Sequence, residues 1–167
     1  MPWGFTKHNV GIDIRQEISN LLRGSSDLVP IGQWIIYRRF DLTQKSPHFN
    51  EYTQEGVGGY KYDYTDELIL TYKWNSWVSA PFNEVLVKPG EMSIPLVTFF
   101  FEYDVSPKEQ DEIFEFDWDD HTVTPVLENI PKPYAARYDI KNLQTFRLDR
   151  GRIEFYAARS IKENVKH

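Results

Sequence analysis

From Tyr60 to Trp74 the chain alternates. The even positions Tyr60, Tyr62, Tyr64, Leu68, Leu70, Tyr72 and Trp74 are apolar or aromatic, broken only by Asp66. The odd positions Lys61, Asp63, Thr65, Glu67, Thr71 and Lys73 are polar, broken only by Ile69. A period of two puts one set on each face of a half-buried strand. At about 3.3 Å per residue, the stretch from Gly59 to Trp74 would reach about 50 Å, longer than one straight strand in a small domain. The pattern therefore predicts two strand halves, bent at Thr65-Asp66-Glu67, with the even face turned inward throughout.

Similar but shorter patterns predict strands at 33–41, 94–104, 113–118, 143–148 and 152–158, with a brief one at 85–87. The stretch Gln33-Trp34-Ile35-Ile36-Tyr37 is apolar on both faces before Arg38 and Arg39 split it. Asp149-Arg150-Gly151 supplies a turn, Gly151 taking the left-handed position. Aromatic residues make up 16% of the chain, and Tyr, Phe and Trp fit pleated, half-wet surfaces. Several short strands at this spacing predict a mainly β fold: a single small β-barrel, or a sandwich. The predicted core is Trp34, Ile36, Leu68, Leu70, Phe114, Phe116, Phe146 and Phe155.

With 167 residues the chain is long enough for one domain with a core, and no linker or repeat divides it. Residues 1–9 read as an arm, 10–24 as a helix, 31–158 as the barrel and 159–167 as a charged tail. In the helix, Ile14, Ile18, Leu21 and Leu22 share one face, Asp13 suits its start, Arg23 its last turn and Gly24 its stop. This amphipathic helix either packs on its own domain or docks on a neighbouring subunit.

Residues 42–58 show no sustained period and are too long for a hairpin turn, which predicts an inserted surface loop. Phe49 and Tyr52 are its possible anchors, Asn50 helps punctuate it, and Lys45 and His48 are its only cationic or potentially cationic side chains. Residues 125–133 carry three prolines and also read as a loop.

Chemical motifs are missing. The chain has no cysteine, so no disulfide, thiolate metal site or Cys nucleophile is available. His8, His48, His121 and His167 form no pair at metal-ligand spacing. Asp117-Asp119-Asp120-His121 lacks the glycine and terminal glutamate of a calcium loop. Glu115 and Asp117 read as the polar face of a strand, not as a catalytic carboxylate pair. Gly56-Val57-Gly58-Gly59 precedes a strand, so it does not cradle phosphate at a helix N-terminus. The expectation is a protein without catalysis, metal or cofactor. A net charge of −6 speaks against general nucleic-acid binding. No run approaches the roughly 20 apolar residues of a membrane span, and the N-terminus does not read as a signal peptide.

Three pieces carry a resemblance. A helix at Ile12 to Leu22 precedes GQWIIYRRFD, then comes GGYKYDYTDELILTYK, and near the end YDIKNLQTFRLDRGRIEFYAA brings a hairpin with Asp149, Gly151, Arg152, Glu154 and Phe155. Together, across most of residues 12–158, they resemble the head-closure, or stopper-like, neck proteins of tailed bacteriophages. The resemblance implies a structural virion protein at the head–tail junction, assembled in the host cytoplasm. It implies a ring of six copies, with twelve the alternative, between portal or adaptor and tail. Such a ring closes the head and retains DNA, which passes the channel without sequence-specific binding. By placement, not by residues, 42–58 matches the loop that faces the channel in that family, which makes Lys45, His48, Phe49, Asn50 and Tyr52 candidates for the channel loop; 125–133 has no counterpart there and reads as an insertion meeting another neck protein. Two other readings stay open: a tail-terminator or baseplate-type ring component, and a carbohydrate-binding sandwich stacking sugars on Trp74, Trp77 and Trp118.

Overall fold

The computed structural model describes residues 13–47, 49–50, 52, 60–75, 96–118, 123–148 and 151–163. Six antiparallel strands close into a barrel: β1 (Gln33–Lys45), β2 (Tyr62–Asn75), β3 (Leu96–Glu102), β4 (Glu112–Glu115), β5 (Ala136–Leu148) and β6 (Arg152–Glu163). Around the barrel they run β1-β2-β3-β6-β5-β4 and back to β1. A helix, α1 (Ile14–Arg23), precedes them, and a 3-10 turn spans Leu127–Asn129.

Local chemistry sets the ends of α1. Asp13 accepts a hydrogen bond from the Arg15 N–H at 3.2 Å, which satisfies one otherwise unpaired donor of the first turn. Gly24 stops the helix at φ +80, and a Cβ there would stand 2.9 Å from Pro30, so only glycine fits. Arg23 then grips Glu102 at the end of β3 through two 2.7 Å bonds. Arg15 donates twice to the Ile153 carbonyl of β6, at 2.9 and 2.6 Å. The helix is thereby tied across the outer side of the barrel, where β2, β3 and β6 meet.

The β1–β2 ladder runs from Gln33↔Thr71 to Asp41↔Asp63 and resumes at Lys45↔Tyr62. Through Thr65, Asp66 and Glu67 it is unbroken, against Arg39, Arg38 and Tyr37. No bend divides β2 there. Its length is accommodated by a change of partner: β1 serves it up to Thr71, and β3 from Tyr72 to Asn75. Strands that coil around a barrel can be longer than straight ones for this reason.

One buried cluster draws residues from every strand and is therefore the barrel interior. It comprises Ile35, Tyr37, Val97, Phe99, Phe101, Ile113, Ala136, Tyr138, Ile140, Tyr156 and Ala158, with Ile69 of β2 packed against them. Tyr37 meets Phe101 edge-on at 5.6 Å, and Phe99 meets Tyr138 at 5.2 Å. The Tyr37 hydroxyl donates to Asp111 at 2.7 Å and accepts from the Lys108 N–H at 3.1 Å. Burial and the bond to Asp111 push its pKa well above the ordinary value, against the Lys108 bond, which lowers it.

The inward face of β2 is thus the odd one, the reverse of the sequence expectation. Thr71 is fully buried, its hydroxyl donating to the Phe100 carbonyl at 2.7 Å. Lys73 is neutralised by Glu115, and Glu67 by Arg39. Trp34, Ile36, Leu68, Phe114 and Phe116 belong instead to a second cluster, on the outer face of β1, β2 and β4, under Leu127, Ile130 and Tyr134. Leu70 is buried on that outer side, against Gly32. Phe146 and Phe155 are also on the outside, stacked on each other. Period two tells the two faces of a strand apart, but it cannot say which is the lumen when another segment covers the outside.

Boundaries differ in the same physical sense. β1 continues through Leu42–Lys45, taking the first part of the predicted loop into the ladder. β6 continues through Glu163, well into the stretch read as a tail. β4 is shorter than predicted, and β5 begins at Ala136. The predicted strand at 85–87 and the arm at 1–9 lie outside the described residues.

Candidate functional site

On the outside of β2, β3, β6 and β5 lies a row of rings. Tyr72 stacks on Phe100 at 6.1 Å, and Trp74 tilts against Phe100 at 6.5 Å. Phe100 meets Phe155 at 6.3 Å, and Phe155 stacks on Phe146 at 4.3 Å with an 11° interplanar angle. Register explains the row: Tyr72 is opposite Phe100, and Phe146 opposite Phe155. Cross-strand neighbours on one face bring aromatic side chains into contact. Trp74 is 51% exposed, Phe146 40% and Leu148 48%. Tyr72, Phe100 and Phe155 are half-buried beside α1, so the row is open to water at its two ends, Trp74 and Phe146, and exposed apolar rings so grouped mark an interaction surface.

A second apolar patch lies elsewhere on the barrel. In the α1–β1 connector Leu28, Val29 and Ile31 are exposed, Val29 at 83%. Beside it runs a groove of about 1100 Å³ whose lining includes Leu22, Ile31, Trp34, Leu70, Phe116 and Trp118. The two patches are different surfaces: the row belongs to β2-β3-β6-β5, and the groove to α1, the connector and the outside of β1 and β2 with the chain after β4.

Charged groups fasten the covered side. Arg38 is 7% exposed and pairs with both oxygens of Asp66, at 2.7 and 2.8 Å. Its guanidinium also lies over the rings of Tyr60, Tyr64 and Phe114. Burial works against its charge, but the Asp66 bonds and charge prevail and its pKa is raised. On β4 two carboxylates take opposite courses. Burial would raise the Glu115 pKa, but bonds from Lys73, Tyr138 and Gln33 hold it below its ordinary value. Burial raises Glu112, and the Tyr60 hydroxyl and Arg137 offset this only in part.

The predicted site residues do not come together as one site. Lys45 ends β1 and lies 5.4 Å from the Phe49 ring centre. Asn50 accepts from the Tyr52 N–H at 2.9 Å, and Tyr52 is fully exposed. His48 lies outside the described residues, as do Trp77 and the Asp119-Asp120-His121 stretch. Trp74 and Trp118 stand on different faces, and the Trp118 ring N–H is used by the Val123 carbonyl at 3.1 Å. On the docking-helix candidate, Leu22 is buried, Leu21 is 41% exposed, and Ile14 and Ile18 are half-buried. The segment 125–133 lies against its own barrel, with Ile130 buried at 5%.

The aromatic row itself was missed. Its signal was the run Phe99-Phe100-Phe101, in which neighbouring residues must point to opposite faces. A strand with Phe on both faces announces a second apolar surface.

Among the described residues, no group of three or more His, Cys, Asp or Glu is placed to hold a metal ion, and no helix is long and apolar enough to cross a membrane. Comparison of the chain with family models, curated proteins and solved structures gives no match.

Proposed function

We propose that the chain is a structural ring subunit of a tailed-phage neck, acting in head closure between portal or adaptor and tail. The observation that carries the ring is the pair of dissimilar exposed apolar patches on one barrel. A single patch favours a two-fold dimer, whereas two different patches fit head-to-tail contacts that close by rotation. The sequence resemblance supplies the neck, and the small closed barrel is the fold it implied. In this reading an acidic wall lets DNA pass without gripping it, since like charges repel phosphate. The β1–β2 connection is the channel-side element, and neighbouring neck and tail proteins meet the ring's two ends.

The deciding experiment is solution mass together with negative-stain images of the full chain. A ring of six or twelve copies is the expected result; a monomer at all concentrations overturns the reading. A second test removes residues 50–58, leaving the Lys45↔Tyr62 pair in place. Particles that package DNA but leak it, or fail to join tails, are expected. Normal DNA retention and infectivity would remove the head-closure role and leave only a ring.

A further inference from the structure

The groove beside α1 is too large to be a flaw in packing. It holds about 1100 Å³, on the scale of sites that enclose a ligand, roughly 300–1,000 Å³, whereas close-packed interiors leave few voids larger than a water molecule. Leu22, Leu70 and Phe116 are buried in its wall, and Trp34 and Trp118 are half-buried there. Its charged lining is unequal. Arg23 is engaged by Glu102 through two 2.7 Å bonds. Asp117 is exposed and has no ion-pair partner among the described residues. An apolar trough with one unanswered carboxylate suits an aromatic, cationic segment.

Such a segment precedes α1. Residues 1–12 lie outside the described residues; they carry Trp3, Phe5, Val10 and Ile12, with Lys7 and His8 and no acidic residue, on a chain of net charge −6. They leave from Asp13, which Arg152 of β6 holds at 3.0 Å, while the last turn of α1 lines the groove. The 10 residues of α1 separate the two points by about 15 Å. At about 3.3 Å per residue, Phe5 reaches about 26 Å from Asp13 and Trp3 about 33 Å. That covers the length of the helix and leaves several residues for the reversal, which Gly11 suits. Two other stretches outside the described residues begin near the groove. Residues 119–122 close a return that the Trp118 ring N–H fastens to the Val123 carbonyl at 3.1 Å. Residues 76–95 leave and rejoin the sheet where Asn75 pairs with Val97, about 17 Å along β2 from Leu70.

We propose that the groove is the docking site of residues 1–12 of the same chain, folded back along α1. Trp3 and Phe5 are the anchors that fill the apolar trough, and Lys7 answers Asp117. A tether this short holds the segment at an effective concentration of about a millimolar, so in dilute solution a chain's own segment wins over one from another copy. Leu28 and Val29 lie outside the groove wall, so the exposed connector persists when the groove is filled. The inference therefore goes beyond the ring reading and does not rest on it.

The test uses the full chain. Trp3→Ser with Phe5→Ser should open the groove: amide exchange at 30–34 and 116–118 should speed up at least about fivefold while β5 and β6 stay as they were. The same variant should take up one more molecule of an apolar dye than the parent protein does. Because the chain has no cysteine, Thr6→Cys with Thr124→Cys supplies its only two thiols, and Thr124 is exposed in the groove lining. A short bis-maleimide should join them within one chain, at a rate independent of protein concentration. Unchanged exchange and dye uptake in the serine variant would overturn the proposal, and so would the absence of any link. A link formed only between chains would overturn it too, giving the groove to another copy's segment. If the serine variant does not fold, the cysteine pair still decides. Rings without the intrachain link sink this inference alone; the intrachain link in a strict monomer sinks the ring alone.

Discussion

The barrel has two aromatic outer faces, and its own chain covers one more fully than the other. Trp34, Ile36, Leu68, Phe114 and Phe116 lie beneath Leu127, Ile130 and Tyr134, supplied by the same chain. Tyr72, Trp74, Phe100, Phe155 and Phe146 have rings as large and as closely spaced, yet Trp74 and Phe146 remain at 51% and 40% exposure. β2 contributes to both, Leu68 to the first and Tyr72 to the second. The side chains are of one kind; what differs is how far the chain lies over them, since α1 crosses β2, β3 and β6 but leaves Trp74 and Phe146 in water. Apolar area removed from water stabilises by about 25 cal/mol per Å², so the covered face stabilises the monomer, while the open one holds that contribution in reserve for a partner.

The strongest way to break the comparison is to truncate each face. Phe114 is 8% exposed, touches the Tyr134 ring at 5.3 Å and lies under Arg38. Phe114→Ala should cost about 3–5 kcal/mol in urea unfolding, as large-to-small core changes do. Leu70→Ala, at 7% exposure against Gly32, should cost about 2–5 kcal/mol. A loss under about 1 kcal/mol at both positions would show that the cover is not in place in solution.

The two β4 carboxylates sharpen the same division between a filled interior and a fastened exterior. Glu115 serves the interior side with three donors, and Glu112 the exterior. The folded-state pKa of Glu115 lies below its unfolded value, so its contribution is present above the unfolded pKa and lost as pH falls through the folded one. Glu115→Gln should therefore cost about 1–3 kcal/mol at pH 7 and flatten the acid limb of the stability profile. Glu112 is raised, so its contribution is full below the unfolded pKa and lost as pH rises through the folded one. Glu112→Gln should leave stability at pH 7 unchanged or higher. Thermal unfolding between pH 3 and 8 reads both variants, and equal losses at pH 7 would contradict the assignment.

How far the sequence could be read follows from the same faces. Strand positions and the barrel were legible because period two and the turn at Gly151 are local signals. α1 was legible because Asp13 and Gly24 both occupy their capping positions. The inward face of β2 was not legible: burying Thr71 and Lys73 inside depends on Phe100, Glu115 and Tyr138, residues distant in sequence. The segment 125–133 looked like an outward insertion because its prolines break ladders, yet a covering segment needs apolar points such as Ile130 and not a ladder. The aromatic row was hidden because no single strand carries it; it exists only once four strands are in register.

Substitution on the uncovered face should have a large effect on assembly and a small one on the monomer. Trp74→Glu places a charge where a partner's apolar surface would sit, so it should shift the association midpoint at least about tenfold while unfolding changes by no more than about 1 kcal/mol. Sedimentation across a concentration series measures the first, and urea unfolding of the dilute protein the second. If Trp74→Glu assembles normally, the open row is not the seam.

The smallest expected change, and the most discriminating, is Phe146→Ala. Phe146 keeps 40% of its surface in water and its main neighbour is the parallel ring of Phe155 at 4.3 Å. Truncation removes that stacking, about 0.5–1.5 kcal/mol, and part of the burial, but it opens no enclosed cavity. The monomer should therefore lose about 1 kcal/mol, several-fold less than for Phe114→Ala, although both remove the same ring. The ratio is the informative quantity. If the two variants lose equal stability in dilute solution, some other part of the same chain lies over Phe146, and the outer faces are alike. If the Phe146 loss is small when dilute and grows with protein concentration, the missing cover is another copy. A loss that stays small at every concentration would leave Phe146 outside any self-contact and confine the seam to Trp74, Tyr72 and Phe100.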